Sequence, residues 1–200
     1  MDEIIKETIS KVDREFNKRK NELAYLALTS KVERPVQDKW AFLLHRELQP
    51  KYLVAREWKR LDIAILNKET PKALIELSAV YTFDVFSKSK RIIQKLEKDE
   101  EKSKKLFPKC KNIYTVLLMT HPYSRFPKAL TSLKYRKGVN ASYNKGKMRE
   151  NSEPTEAKDK MVEKLKQKVK GRIITDGKLE AGEAFGIKTS IFYWIIKAKI

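Results

Sequence analysis

The feature that most constrains this chain is a pair of apolar segments, RLDIAIL (residues 60–66) and ALIELSAV (residues 73–80), separated by NKETPK. In the first, Leu61, Ile63 and Ile65 alternate with Arg60, Asp62, Ala64 and Leu66. In the second, Leu74, Glu76, Ser78 and Val80 share one face while Ile75, Leu77 and Ala79 share the other. A period of two is the signature of a strand, because successive side chains point to opposite sides of a pleated backbone. Asn67, Thr70 and Pro71 between them are turn residues, so the pattern predicts an antiparallel hairpin. Centred on Glu69, that hairpin sets Asp62 opposite Glu76 and Arg60 opposite Ser78.

Two carboxylates side by side on one face of a sheet repel each other unless a cation or a proton sits between them. A hard divalent cation, Mg²⁺ or Mn²⁺, meets the requirement, because it takes a few carboxylate oxygens and keeps water or phosphate oxygens in its other positions. The competing arrangement is a solvated sheet face on which Asp62 and Glu76 pair with Arg60 and nearby lysines. Softer metal chemistry is unsupported by the composition: Cys110 is the only cysteine, and His45 and His121 are the only histidines. Cys110 has no evident base partner and reads as structural. His121, followed by Pro122 at a strand end, reads as a loop residue before a general base.

The rest of the chain alternates helical and strand patterns. Ile5, Ile9, Val12 and Phe16 form one apolar helical face in the first 30 residues, a surface for packing or for a homodimer. A second helix is expected from Pro35 to Pro50, with Val36, Trp40, Leu43 and Glu47 inside an arc of about 60°. Glu47 is therefore expected to face inward and offer a third carboxylate, and His45 to face solvent. A long charged helix should follow Asp84, its expected N-cap, and run to Phe107. NIYTVLLMT (112–120) then reads as a buried strand. Residues 134–159, poor in large apolar side chains, read as a basic flexible loop. A helix over 156–170 and two strands, GRIIT and IKTSIFYWIIK, complete one α/β domain spanning 1–200.

Charge supplies the first indication of a partner. The chain carries 45 Lys+Arg against 26 Asp+Glu, a net +19, which suits a polyanion. Between Val85 and Glu150 the balance is 18 basic to 5 acidic residues. Lys88, Lys90, Arg91, Arg125, Lys128, Lys134, Arg136 and Lys137 are the expected phosphate contacts. A solubilising surface, an acidic protein or an anionic membrane would use the same charge. Tyr81, Phe83, Trp58, Tyr123 and Phe126 read as core, with Tyr123 and Phe126 beside Arg125 as the candidate base-stacking rings. No apolar run approaches the roughly eighteen residues of a membrane span, and the start lacks a basic leader followed by an apolar block, so a cytoplasmic protein is expected.

Glu47, Arg60-Leu-Asp62, Ile75-Glu76-Leu-Ser78-Ala, the helix after Asp84 and the strand IYTVLLMT together resemble the PD-(D/E)xK nuclease superfamily over roughly Val36 to Thr120. The resemblance implies a restriction-endonuclease-like core in αβββαβ order, with a central mixed sheet flanked by helices. It also implies a metal-dependent endonuclease acting on DNA, with Asp62 and Glu76 on the metal and Glu47 assisting. One position departs from the motif: Ser78 stands where the family has lysine. A serine hydroxyl neither positions an attacking water nor offsets phosphate charge as an ammonium does. Arg60, opposite Ser78, is a candidate replacement cation, although arginine cannot act as a base. Lys59, Lys72 and Lys88 are others. Three outcomes stay open: an active enzyme with a relocated cation, an attenuated one, or a non-catalytic nucleic-acid-binding or assembly protein.

Overall fold

The computed structural model describes residues 1–17, 21–130 and 132–199. Four helices open the chain: α1 (Asp2–Ile9), α2 (Val12–Asn17), α3 (Glu22–Thr29) and α4 (Glu33–Leu48). Three strands, β1 (Leu53–Trp58), β2 (Leu61–Asn67) and β3 (Thr70–Tyr81), lead into α5 (Thr82–Leu106) and β4 (Ile113–Pro122). α6 (Arg136–Asn144), α7 (Thr155–Lys168), β5 (Arg172–Ala184) and β6 (Ile187–Lys197) follow.

The strands form one mixed sheet in the order β1-β2-β3-β4-β6-β5. β3 and β4 are parallel, joined by the α5 crossover, and every other pair is antiparallel. The hairpin register is the expected one near its open end, with Ile63 against Ile75 and Ala64 against Leu74. A bulge between Ile65 and Leu66 shifts the pairing by one residue toward the turn.

Alternation along the strands divides the core. Ile63, Ile75, Leu77, Leu118 and Ile195 pack with Trp40 and the apolar stripe Ile5, Ile9, Val12 and Phe16 on the α1–α4 side. Leu117, Met119 and Trp194 meet Ile92 and Leu96 of α5 and Met161 and Leu165 of α7 on the other. Each such fully buried aliphatic side chain contributes about 1.5–3 kcal/mol. Trp40 adds a hydrogen bond from its indole nitrogen to Thr8 Oγ1 at 2.8 Å, tying α4 to α1.

Local chemistry explains where the sequence reading fell short. The N-terminal stripe is shared by α1 and α2 instead of one continuous helix. Thr8 Oγ1 bonds the Ile4 carbonyl (2.7 Å) and Ser10 Oγ the Glu7 carbonyl (2.8 Å), side-chain competition that bends or ends helices. Residues 134–159 are not wholly a loop, because Tyr135, Val139, Ser142 and Tyr143 make a helical stripe and α6 buries the last three. Asp84 is not the N-cap of α5; it lies in the first turn, and its Oδ2 accepts the Tyr81 amide at 3.2 Å. Among the described residues no helix is long and apolar enough to cross a membrane.

Candidate active site

β2 separates from β3 just beyond the Ile63–Ile75 pair, and this divergence builds the site. Two inward amides of β3 are left without a ladder partner, and carboxylates take them. Asp62 Oδ2 accepts the Leu77 amide at 2.6 Å, and Glu33 Oε2, from the first turn of α4, accepts the Ala79 amide at 3.1 Å. Gln37, one turn along α4, donates from Nε2 to the Asp62 carbonyl at 2.6 Å and to Glu57 Oε1 at 2.9 Å. Asp62 and Glu33 therefore have an architectural role, since a buried amide without a partner costs roughly 1–3 kcal/mol.

Glu76 has no such explanation. It is 3 % exposed, on the β3 face turned toward α5. The ammonium of Lys102, from α5, approaches Glu76 Oε1 to 2.5 Å, yet that buried oxygen lacks a hydrogen-bond partner of proper geometry. Burial pushes the Glu76 carboxyl up to about 8, and the charges of Asp62 and Asp99 push the same way against Lys102. The Asp62 carboxyl is also raised, by burial first and by Glu33 as a neighbouring charge. So is Asp99, by burial, although Lys95 and Lys102 oppose it. Ser78 Oγ lies 3.3 Å from Asp99 Oδ2, and Lys95 lies 3.6 Å from Glu33. Three carboxyl groups thus sit where each is reluctant to ionise, faced by two lysines.

Asp62 and Glu76 are an oxygen-only donor pair, the kind a Mg²⁺-like ion takes, with Glu76 Oε1 held 2.5 Å from the Lys102 ammonium. No cluster of three or more His, Cys, Asp or Glu side chains forms a complete metal cage among the described residues. Mg²⁺ does not need one, because it binds through one or two carboxylates and keeps the rest of its shell for water and phosphate.

Two expected members are displaced. Glu47 is exposed at the far end of α4. The expected helix start at Pro35 was two residues late, and the carboxylate that α4 brings to the sheet is Glu33. Arg60 is exposed in the left-handed turn before β2, with φ 71°, so strand alternation does not govern its direction. Its carbonyl accepts Lys102 Nζ at 2.9 Å, so Arg60 touches Lys102 through its backbone while its side chain is exposed. Of the other candidates, Lys59 lies over Trp58, Lys72 is exposed, and Lys88 pairs with Asp84 at 2.8 Å. Lys102 escaped the sequence reading, but a signal existed. Lys95, Asp99 and Lys102 recur at helical spacing beside the buried Ile92 and Leu96.

The expected phosphate contacts divide. Lys88 and Arg91 line a cavity beside Ser78 together with Lys95. Lys134, Arg136 and Lys137 flank Tyr135, whose ring lines the same cavity. Lys90 and Lys128 are exposed, and Arg125 is paired with Glu150 at 3.2 Å. Tyr123 and Phe126 are buried and so unavailable for base stacking.

His121 is a strand residue, not a loop one, and is 1 % exposed. Its Nε2 faces the Ser152 carbonyl at 3.1 Å and its Nδ1 the Thr82 hydroxyl at 3.1 Å. Since the carbonyl only accepts, the neutral ring carries its proton on Nε2. Burial lowers the imidazole from 6.5 to about 4. The unfolded chain therefore takes up a proton over a window in which the folded chain does not, and acidification from pH 6.5 to 4 should remove about 3 kcal/mol of stability. NMR of the ring nitrogens is expected to show a neutral imidazole down to about pH 4.5; a midpoint near 6.5 would contradict this.

Comparison of the chain with protein-family models, curated proteins and solved structures finds no match. Its class is given by its own architecture: an α/β protein with a six-stranded mixed sheet flanked by helices.

Proposed function

We propose that this protein is a metal-dependent nuclease of the PD-(D/E)xK type that hydrolyses phosphodiester bonds in DNA. The observation that carries the reading is Glu76, a buried carboxylate raised to about 8, beside Asp62 and 2.5 Å from the Lys102 ammonium. Carboxyl groups perturbed by burial beside a specific charge partner cluster at functional sites, and a cation site would use this one. The order α4-β1-β2-β3-α5-β4 supports the reading, since it is the αβββαβ order of that superfamily with Asp on its second strand and Glu on its third.

Asp62 and Glu76 would hold the ion. When bound, such an ion acidifies water and offsets the charge that builds on a phosphate. Lys102 supplies from α5 the ammonium that Ser78 cannot supply from β3, and its three donors can reach phosphoryl oxygens beside Glu76. The Arg60 carbonyl and Asp99 orient it. Glu33 and Gln37 brace the diverging strand ends, Glu33 on the Ala79 amide and Gln37 on the Asp62 carbonyl. A purely binding role, with Ser78 as the mark of lost catalysis, is weakened by this second source of a lysine.

Linear, circular, single-stranded and branched DNA should be offered with Mg²⁺ or Mn²⁺, against EDTA. Metal-dependent cutting that disappears in Asp62→Asn is the expected result. DNA binding without cutting on any substrate would leave the binding-module reading in its place.

A further inference from the structure

Beside the carboxylates lies a cavity of about 250 Å³ that the hydrolytic site itself does not use. Its floor is the end of β3 from Ser78 to Val80 together with Ile92, and its walls include the rings of Phe83 and Tyr135. Lys31, Lys88, Arg91 and Lys95 stand around it, with one carboxylate, Asp84, which is paired to Lys88 at 2.8 Å. Lys95 lies 3.6 Å from Glu33, whereas Lys31 and Arg91 have no ion pair among the described residues. Cationic groups around an apolar, ring-walled hollow describe the chemistry of a nucleotide, a flat base attached to a phosphate.

Three details point to a built pocket. The half-buried rings of Phe83 and Tyr135 flank the buried Tyr81, at centroid distances of 5.6 and 4.4 Å, and the Tyr81 hydroxyl is held by the carbonyls of Ala27 and Ser30. α5 departs from helical geometry at Lys88 (φ −132°, ψ 18°), a pocket-lining residue, so the helix bends where it borders the cavity. Gly138 of α6 gives the Phe83 ring its room, since a Cβ there would lie 2.6 Å from the ring edge.

We infer that this cavity receives one unpaired nucleotide of a DNA strand, its base against Phe83 and Tyr135 and its phosphate among Lys31, Arg91 and Lys95. Ser78 borders both the cavity and the carboxylate cluster, so a neighbouring phosphodiester lies toward Asp62 and Glu76. The inference rests on the nuclease reading and narrows its substrate to single-stranded DNA or DNA with an unpaired segment. A continuous duplex keeps its bases stacked on one another and cannot place one in the hollow.

The test is fluorescence anisotropy with a short labelled oligothymidylate and a blunt duplex, in EDTA so that nothing is cut. Tyr135→Leu and Gly138→Ala should each weaken oligothymidylate binding about tenfold or more and leave duplex binding unchanged. Tyr135→Phe, which keeps the ring, should bind as the parent does. Arg91→Ala should weaken binding and flatten its salt dependence by about one phosphate contact. Equal affinity for duplex and oligothymidylate in the parent, or unchanged oligothymidylate binding in both ring variants, overturns the pocket. Each variant is compared at unchanged melting temperature, and if Tyr135→Leu does not fold, Gly138→Ala decides. Because binding is read without metal, loss of the pocket reading leaves metal-dependent cutting intact, whereas failure of the nuclease reading shows as absent cutting by a protein that still selects single strands.

Discussion

Glu76→Gln is expected to melt several degrees higher than the parent at pH 8 without metal, and to cut no DNA. In the parent, the Glu76 carboxyl titrates near 8 in the folded state against 4.5 for its ordinary value. The folded chain thus holds a proton that the unfolded chain has released, and stability falls as pH rises through that window. At pH 7 the loss amounts to about 3 kcal/mol, and on a chain of this size each kcal/mol moves Tm by about 2–4 °C. Glutamine keeps the shape and cannot ionise, so its stability should be flat where the parent's declines. The same change removes a metal-holding oxygen, so activity is lost as stability is gained. A buried carboxylate kept only for structure would show the reverse. Glu76→Gln would then melt lower, because Lys102 would lose its partner. Melting curves from pH 5 to 9 separate the two; His121 acts in the opposite direction below pH 6.5, which is why the comparison is between variants and not within one profile.

Lys102→Ala should lower the cleavage rate by on the order of 10²–10³, the loss typical of removing one donor that stabilises transition-state charge. Its effect on stability should depend on pH. Removing one partner of a buried ion pair usually costs about 3–5 kcal/mol because a charge is left uncompensated. Glu76 can avoid that by keeping its proton, so Lys102→Ala should be only mildly destabilised at pH 6 and markedly so at pH 9. Adding Ser78→Lys to Lys102→Ala should restore at least tenfold of the lost rate, because residue 78 shares the α5-facing side of β3 with Glu76. Full activity in Lys102→Ala would refute the relocated-lysine account. No recovery in the double variant would mean that the α5 position supplies something a strand lysine cannot.

The hairpin and its two carboxylates were legible because period-two alternation and a turn fix register, and register fixes which side chains meet. Asp62 and Glu76 could be read as neighbours without knowing anything about the rest of the sheet. Glu33 and Lys102 could not, because each belongs to a different helix and reaches the site through packing between layers, which no local pattern encodes. Glu47 was misjudged for a related reason: a helical wheel gives the direction of a side chain around the axis, not how far along the axis the sheet extends. Arg60 was misread because the strand rule was carried into a turn, where φ of 71° turns the backbone away. β1 gave no signal, since its residues are exposed or half-buried at the sheet edge and need no alternation. α6 was hidden by composition, its stripe of Val139, Ser142 and Tyr143 diluted among lysines, asparagines and glycines.

The central claim is that the buried Glu76 and Asp62 pair is a cation site. The most direct measurement is calorimetric titration of Mn²⁺ into the parent and into Glu76→Gln at pH 7, in two buffers of different ionisation enthalpy. Glu76 is held protonated near neutrality, so an ion entering the site must displace that proton. The account predicts binding by the parent with proton release, seen as a heat that differs between buffers, and neither the binding nor the release in Glu76→Gln. The same Mn²⁺ affinity in both proteins, with no buffer dependence, would contradict it.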